Sequence, residues 1–191
     1  IDDILLVNRT MNDVRGKALD LTNAIPANSD FVITGTNDFS MIKKSDIIII
    51  SASMIQTVSS RLDSLQKHSQ MIKDIAKKIQ QYSPESKVLI ISNPVDVLTF
   101  MFQKYSKINR HNLLGIAGNL DSERFRYLLS QEISKKPSAI SNSYVLGEHG
   151  DSMVPIFSLA KIDGKPVMQL LNKPAQSKIT KRLRDYWKSI R

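Results

Sequence analysis

Cysteine is absent from this 191-residue sequence. That excludes disulfides, thiolate-bound zinc, iron–sulfur clusters and thiol catalysis. It suits a reducing compartment, and a cytoplasmic location is expected. Long apolar runs are missing too. The longest, "DIIIISA" at residues 46–52, is strand-sized, so no membrane association through a spanning helix is expected. No charged-then-apolar leader opens the chain, and nothing suggests export. Glycine is scarce. The seven are Gly16, Gly35, Gly115, Gly118, Gly147, Gly150 and Gly164. No three of them fit G-x-G-x-x-G, the loop that sets a pyrophosphate on a helix N-terminus. With three histidines and no cysteine there is no metal-ligand cluster, and no metal is expected.

Basic residues are plentiful, giving a net charge of +9. Six of them, Lys178, Lys181, Arg182, Arg184, Lys188 and Arg191, lie in "SKITKRLRDYWKSIR" at residues 177–191. Ile179, Leu183, Tyr186, Trp187 and Ile190 recur there as on one helix face. Zinc-finger spacing is absent, and aromatics do not interleave with glycines as on an RNA-stacking sheet. The segment therefore reads as a basic, solvated helix face, and no nucleic-acid partner is expected.

Along the chain, strand-like and helix-like segments alternate. Strands are expected at residues 3–8, 30–36, 45–53, 86–93 and 112–117. Helices are expected at 12–25, 61–82, 94–106 and 120–133. Val14, Ala18, Leu21 and Ile25 share a helical face, and "SDIIIISAS" is apolar enough for a strand covered on both sides. The alternation predicts an α/β fold with a doubly wound parallel sheet. From about residue 140 a hairpin-like pattern takes over, with strands expected at 143–151 and 152–167, the second turning at Asp163–Gly164. It marks a second, mixed α+β lobe.

Ligands of such sheets bind past the carboxyl ends of the strands. Those positions hold Asn8, Ser51 to Ser60 (including Ala52, Ser53 and Gln56), Ser92 with Asn93, and Ala117 to Asn119. In "GNLDSERFR" (118–126), Asp121 and Arg124 are three apart near a helix start and share a face. In "GEHGD" (147–151), His149 sits between glycines and carboxylates. His68 lies mid-helix among polar residues and His111 precedes a strand, so both are expected to be solvated.

Taken together, "ISNPVDVLTF", "GNLDSERFRYLL" and "GEHGDSMVPIFS" closely resemble the L-lactate and L-malate dehydrogenase family. "RLDSL" (61–65) is similar to that family's mobile active-site loop and the helix after it, and "ALDLTNA" (18–24) to the segment after its second strand. The resemblance implies a Rossmann-like domain over residues 1–118 and a substrate domain over 119–191. It implies interconversion of a small L-2-hydroxy acid and its 2-oxo acid with NAD. His149 would exchange the proton. Asp121 would orient His149 and favour its charged form. Arg124 would bind the substrate carboxylate. Arg61 would polarise the reacting carbonyl, and Asn93 would hydrogen-bond the same region. Asn8, Ala52, Ser53, Ser92 and Asn93 would contact the cofactor. Glu148 and Asp151 would be structural. Members usually associate as homodimers or homotetramers, so exposed apolar positions on the basic helix are candidate subunit contacts.

The chain departs from the family in three ways. The glycine loop would precede the strand at 3–8, and the chain opens at Ile1 within a strand-like run. The first βα unit and the last strands and helix are thus expected to be lacking, as in an internal fragment. Asn8 followed by Arg9 stands where an acidic residue usually binds the adenine ribose, which also admits NADP. "SASMIQTVSS" (51–60) has no cation for a second carboxylate, with Gln56, or Ile55, at the specificity position. That is lactate-like, whereas "HGDSMVP" is malate-like. Two other functions compete with this one. A metal-dependent glycosidase of the same fold would need the ligand cluster this chain lacks. A non-catalytic binding protein would use the basic helix.

Overall fold

The computed structural model describes residues 3–26, 29–53, 61–147 and 152–186, the side chains of 61–64 set aside. The chain divides into two compact units, Ile1–Gly115 and Ile116–Arg191.

In the first unit strands and helices alternate. They are β1 (Asp3–Val7), α1 (Met11–Asn23), β2 (Val32–Thr36), β3 (Ile47–Ile50), α2 (Arg61–Tyr82), β4 (Lys87–Ile90), α3 (Val95–Ser106) and β5 (Leu113–Gly115). Every strand pairing is parallel, as helical crossovers require. Among the described residues the strands form a pair, β1–β2, and a triplet, β3–β4–β5, with no ladder from β1 to β3.

Register explains which residues are buried. Ile48 lies beside Val88, which lies beside Leu113, and Ile50 beside Ile90. These side chains share one face. Val88 and Ile90 are fully buried there, and α3 packs on β4 and β5. One residue along, Ile49, Leu89 and Leu114 form the other face. Ile47, Ile49 and Leu114 are 58%, 60% and 56% exposed. The expectation that the isoleucine strand is covered on both sides is therefore corrected. Its period of two sends alternate isoleucines to opposite faces, and only one face is covered.

Two helical expectations also change. In α1, Val14 and Ala18 are buried against β2, but Leu21 is 48% exposed and the helix stops at Asn23, before Ile25. In α2, His68 is buried, not solvated. It lies one turn before Ile72, and with Ala76 and Ile79 it continues the stripe that α2 buries beside α3. His111 is exposed, as expected.

The second unit holds α4 (Gly118–Ile133), the two-residue strands β6 (Ile140–Ser141), β7 (Val145–Leu146), β8 (Val154–Pro155), β9 (Lys161–Ile162) and β10 (Lys165–Pro166), and α5 (Lys173–Asp185). β9 and β10 turn at Asp163–Gly164, both with positive φ, as the Asp-Gly pair predicted. The core joins Phe125, Leu128 and Leu129 of α4 to Ile179 and Leu183 of α5. Phe125 meets Phe157 edge to face at 4.9 Å. Ile179 and Leu183 are thus core residues. Helix α5 begins four residues before the expected basic segment, because Asn172 Oδ1 accepts the Ala175 N–H at 3.0 Å and Pro174 suits the first turn.

Candidate functional site

Each unit carries part of the chemistry expected from the sequence. In the first, the carboxyl ends of parallel strands supply short polar residues. Asn8 follows β1. Its N–H donates to Thr36 O at 3.1 Å, and its Oδ1 accepts the Arg9 N–H at 2.7 Å. Ser51, Ala52 and Ser53 follow β3, with Ala52 half-buried and the serines exposed. Ser92 and Asn93 follow β4. Ser92 is buried and its hydroxyl is spent inside the protein, donating to Ala52 O at 2.6 Å and lying 3.2 Å from Ile50 O. Its visible work is to fix the backbone after β3. Asn93 is exposed, its peptide bond to Pro94 is cis, and α3 starts at Val95.

In the second unit, α4 sets the charged pair. Asp121 and Arg124 are one turn apart, and Arg124 Nη1 donates to Asp121 Oδ1 at 3.0 Å. The Asp121 side chain is 3% exposed and that of Arg124 18%. A carboxylate so buried is costly unless it is paired, and the guanidinium answers that cost. The contrast with the neighbouring Glu123–Arg126 pair is informative, because that pair is exposed and contributes little.

The first turn of α4 also places β7, the strand leading toward His149. Ser122 Oγ donates to Gly118 O at 2.6 Å and accepts the Val145 N–H at 3.0 Å. A Cβ on Gly118 would come within 3.0 Å of Val145 O, so glycine permits the close approach. Neither contact was anticipated from sequence. An ST-type bond three or four residues along a helix is readable, but its long-range partner is not.

Several expected site residues lie outside the described residues: His149 with Glu148 and Asp151, Gln56 and Ile55, and Trp187 and Ile190. Arg61 opens α2, and its side chain is likewise outside. Among the described residues no cluster of three metal-ligating side chains occurs. No described helix is long and apolar enough to cross a membrane.

One further residue faces the pair. The Arg124 guanidinium carbon lies 5.0 Å from the centre of the Tyr186 ring, at the end of α5. Sequence placed Tyr186 only on an apolar helix face.

Comparison with known proteins agrees with the fold. Residues 1–115 match the family described as lactate/malate dehydrogenase, NAD binding domain, and residues 118–190 match its alpha/beta C-terminal domain. A malate dehydrogenase of Geotalea uraniireducens is 35% identical over 175 residues, covering 91% of this chain and 55% of that protein. One from Chlorobium limicola is 35% identical over 185 residues, covering 96% and 59%. The structure of the Aeropyrum pernix malate dehydrogenase superposes with a TM-score of 0.90 at 31% identity, covering 99% of this chain and 62% of that one. The Cryptosporidium parvum lactate dehydrogenase, solved with lactic acid and nicotinamide adenine dinucleotide, gives 0.89 at 32% identity, covering 98% and 61%. The chain thus spans somewhat more than half the length of these relatives. The parallel sheet with crossover helices, followed by a mixed α/β unit, is a Rossmann-like fold with the family's second domain.

Proposed function

Because this chain belongs to the lactate/malate dehydrogenase family, we propose that the protein interconverts a small L-2-hydroxy acid and its 2-oxo acid with a nicotinamide cofactor. The observation that carries this proposal is the buried Asp121 with Arg124 one helical turn away. A 2-oxo acid needs a cation for its carboxylate, a proton donor for its carbonyl oxygen and a donor to polarise that carbonyl. Arg124 supplies the first. One of its N–H groups is held by Asp121, and others remain for a forked pair with the substrate. His149 supplies the second. Asp121 orients it and stabilises the imidazolium. Arg61 and Asn93 supply the third, Arg61 stabilising charge that develops on the oxygen.

The strand ends suit a dinucleotide. They lie at the carboxyl edge of a parallel sheet, and Ser92 holds the backbone at Ala52 in place. Asn8, Ala52, Ser53 and Asn93 would hold the cofactor, Ser92 acting through the backbone that its hydroxyl fixes, and the cofactor would supply the hydride when bound. NAD is the default. Neutral Asn8 beside Arg9 does not repel a 2′-phosphate, so NADPH is accepted as well. The domain reading is dinucleotide binding over 1–118 and substrate binding over 119–191. Residues 51–60 contain no cation, and a second carboxylate would be desolvated unpaired. Pyruvate-like monocarboxylates are therefore favoured over oxaloacetate.

Steady-state kinetics of a complete chain carrying this span test the proposal. His149→Asn should lower 2-oxo-acid reduction by ~10²–10⁴-fold, with cofactor binding intact. Arg124→Lys should chiefly raise KM, because a point charge cannot form the fork. Arg61→Gln should chiefly lower kcat. Near-normal turnover of His149→Asn would remove the catalytic assignment.

A further inference from the structure

We propose that Tyr186 is a positioning residue for Arg124. Its ring fixes the plane of the guanidinium, so that the edge left by Asp121 is presented to a substrate carboxylate. This deepens the function proposed above and rests on the role given there to Arg124.

The geometry is that of two constraints on one group. Asp121 Oδ1 accepts from Nη1 at 3.0 Å and fixes one edge of the guanidinium. A single hydrogen bond leaves the plane free to rotate about it. The centre of the Tyr186 ring lies 5.0 Å from Cζ, and a ring so close to the guanidinium would remove that freedom. A carboxylate binds the fork in its plane. A ring held along the face would therefore leave the binding edge open.

Tyr186 is itself held in place. Lys178, Arg182 and Tyr186 are four apart on α5, so one stripe faces α4. Lys178 Nζ pairs with Glu132 at 2.8 Å, and Arg182 Nη2 donates to Gln131 Oε1 at 2.9 Å. The third contact of the stripe is Tyr186 on Arg124. The buried Ile179 and Leu183 anchor the helix from within the core. Arg184 Nη2, in the same last turn, reaches Met153 O at 3.3 Å. The turn that carries Tyr186 is thus tied to α4 and to the chain just beyond the His149 stretch. Cations of a basic helix are spent here on aligning α5 with α4.

The test uses a complete chain with pyruvate and, separately, oxaloacetate as substrate. Tyr186→Phe keeps the ring and should leave KM for the 2-oxo acid within about twofold of the parent. Tyr186→Leu keeps bulk but loses the π face. It should raise that KM by about 2–30-fold, the range of a cation–π contact, with kcat and the KM for NADH little changed. In an Arg124→Lys background, Tyr186→Leu should add much less, because an ammonium has no plane for the ring to fix. Urea midpoints of all variants separate this from loss of fold, and equal midpoints with a raised KM support the proposal. A parental KM in Tyr186→Leu overturns it. So does a loss that Phe does not rescue, or one undiminished beside Arg124→Lys. If Arg124→Lys itself leaves KM unchanged, the substrate role of Arg124 fails first, and the positioning role falls with it.

Discussion

Asp121 is 2% exposed, and its charge is tolerable because Arg124 lies 3.0 Å away. Truncating one partner of such a pair leaves the other desolvated. Asp121→Ala should therefore lower stability by about 1–3 kcal/mol, whereas Asp121→Ala with Arg124→Leu should cost less than the two single changes summed. Urea unfolding of the four proteins gives the coupling directly. Strict additivity would mean that the pair is not what compensates the burial. Asp121 and Arg124 were legible in the sequence because three-residue spacing near a helix start puts two side chains on one face. Tyr186 was not, since nothing local ties the end of α5 to the start of α4. His68 was misread for a related reason. Its immediate neighbours Lys67 and Ser69 are polar, but burial follows the stripe through Ile72 and Ala76, not the adjacent residues.

Helix α1 lies on β2 at a distance that only glycine permits. A Cβ at Gly35 would stand 2.6 Å from Val14 O and 2.9 Å from Val14 C. Both atoms are backbone, so relief requires shifting the helix. Gly35→Ala should destabilise the first unit by about 1–3 kcal/mol, as overpacking does. Gly16→Ala, where nothing lies within 4 Å, should be neutral or stabilising, because alanine favours helix. Equal unfolding midpoints for the two variants would contradict the close approach. Element order and type were legible throughout the first unit, because period and length separate strands from helices there. In the second unit strands shrink to two residues each. Such pairs leave no alternation to read, so of the long strands expected at 143–151 and 152–167 the described residues hold only the short β7, β8, β9 and β10. Only the Asp163–Gly164 turn announced itself, through its positive φ requirement.

On the scale of the molecule, the parallel sheet comes in two pieces with an open edge on β1 and another on β3, among the described residues. Ile47 and Ile49 on β3, with Leu114 across the sheet on β5, lie on an exposed apolar face. An unpaired strand with such a face is a template for association. The 191-residue chain alone should therefore self-associate in light scattering, and Ile49→Lys should reduce that. The same gap bears on cofactor binding. On the proposed function, strand ends at Asn8, Ser53 and Asn93 would offer contacts for ribose and nicotinamide, but a pyrophosphate needs several convergent N–H groups and a helix dipole. No glycine triplet of this sequence builds that cradle. Titrating the 191-residue chain with NADH and following its fluorescence should accordingly give no saturable binding. It should also give no pyruvate- or oxaloacetate-dependent oxidation of NADH. On the proposed function, joining a family glycine-loop βα unit ahead of β1 and a family C-terminal segment after residue 191 should confer binding first and, with it, activity. Monomeric behaviour together with tight, saturable NADH binding by the 191 residues alone would mean that the pyrophosphate is held by groups other than a glycine loop, and the strand-end residues would then have to carry the whole cofactor.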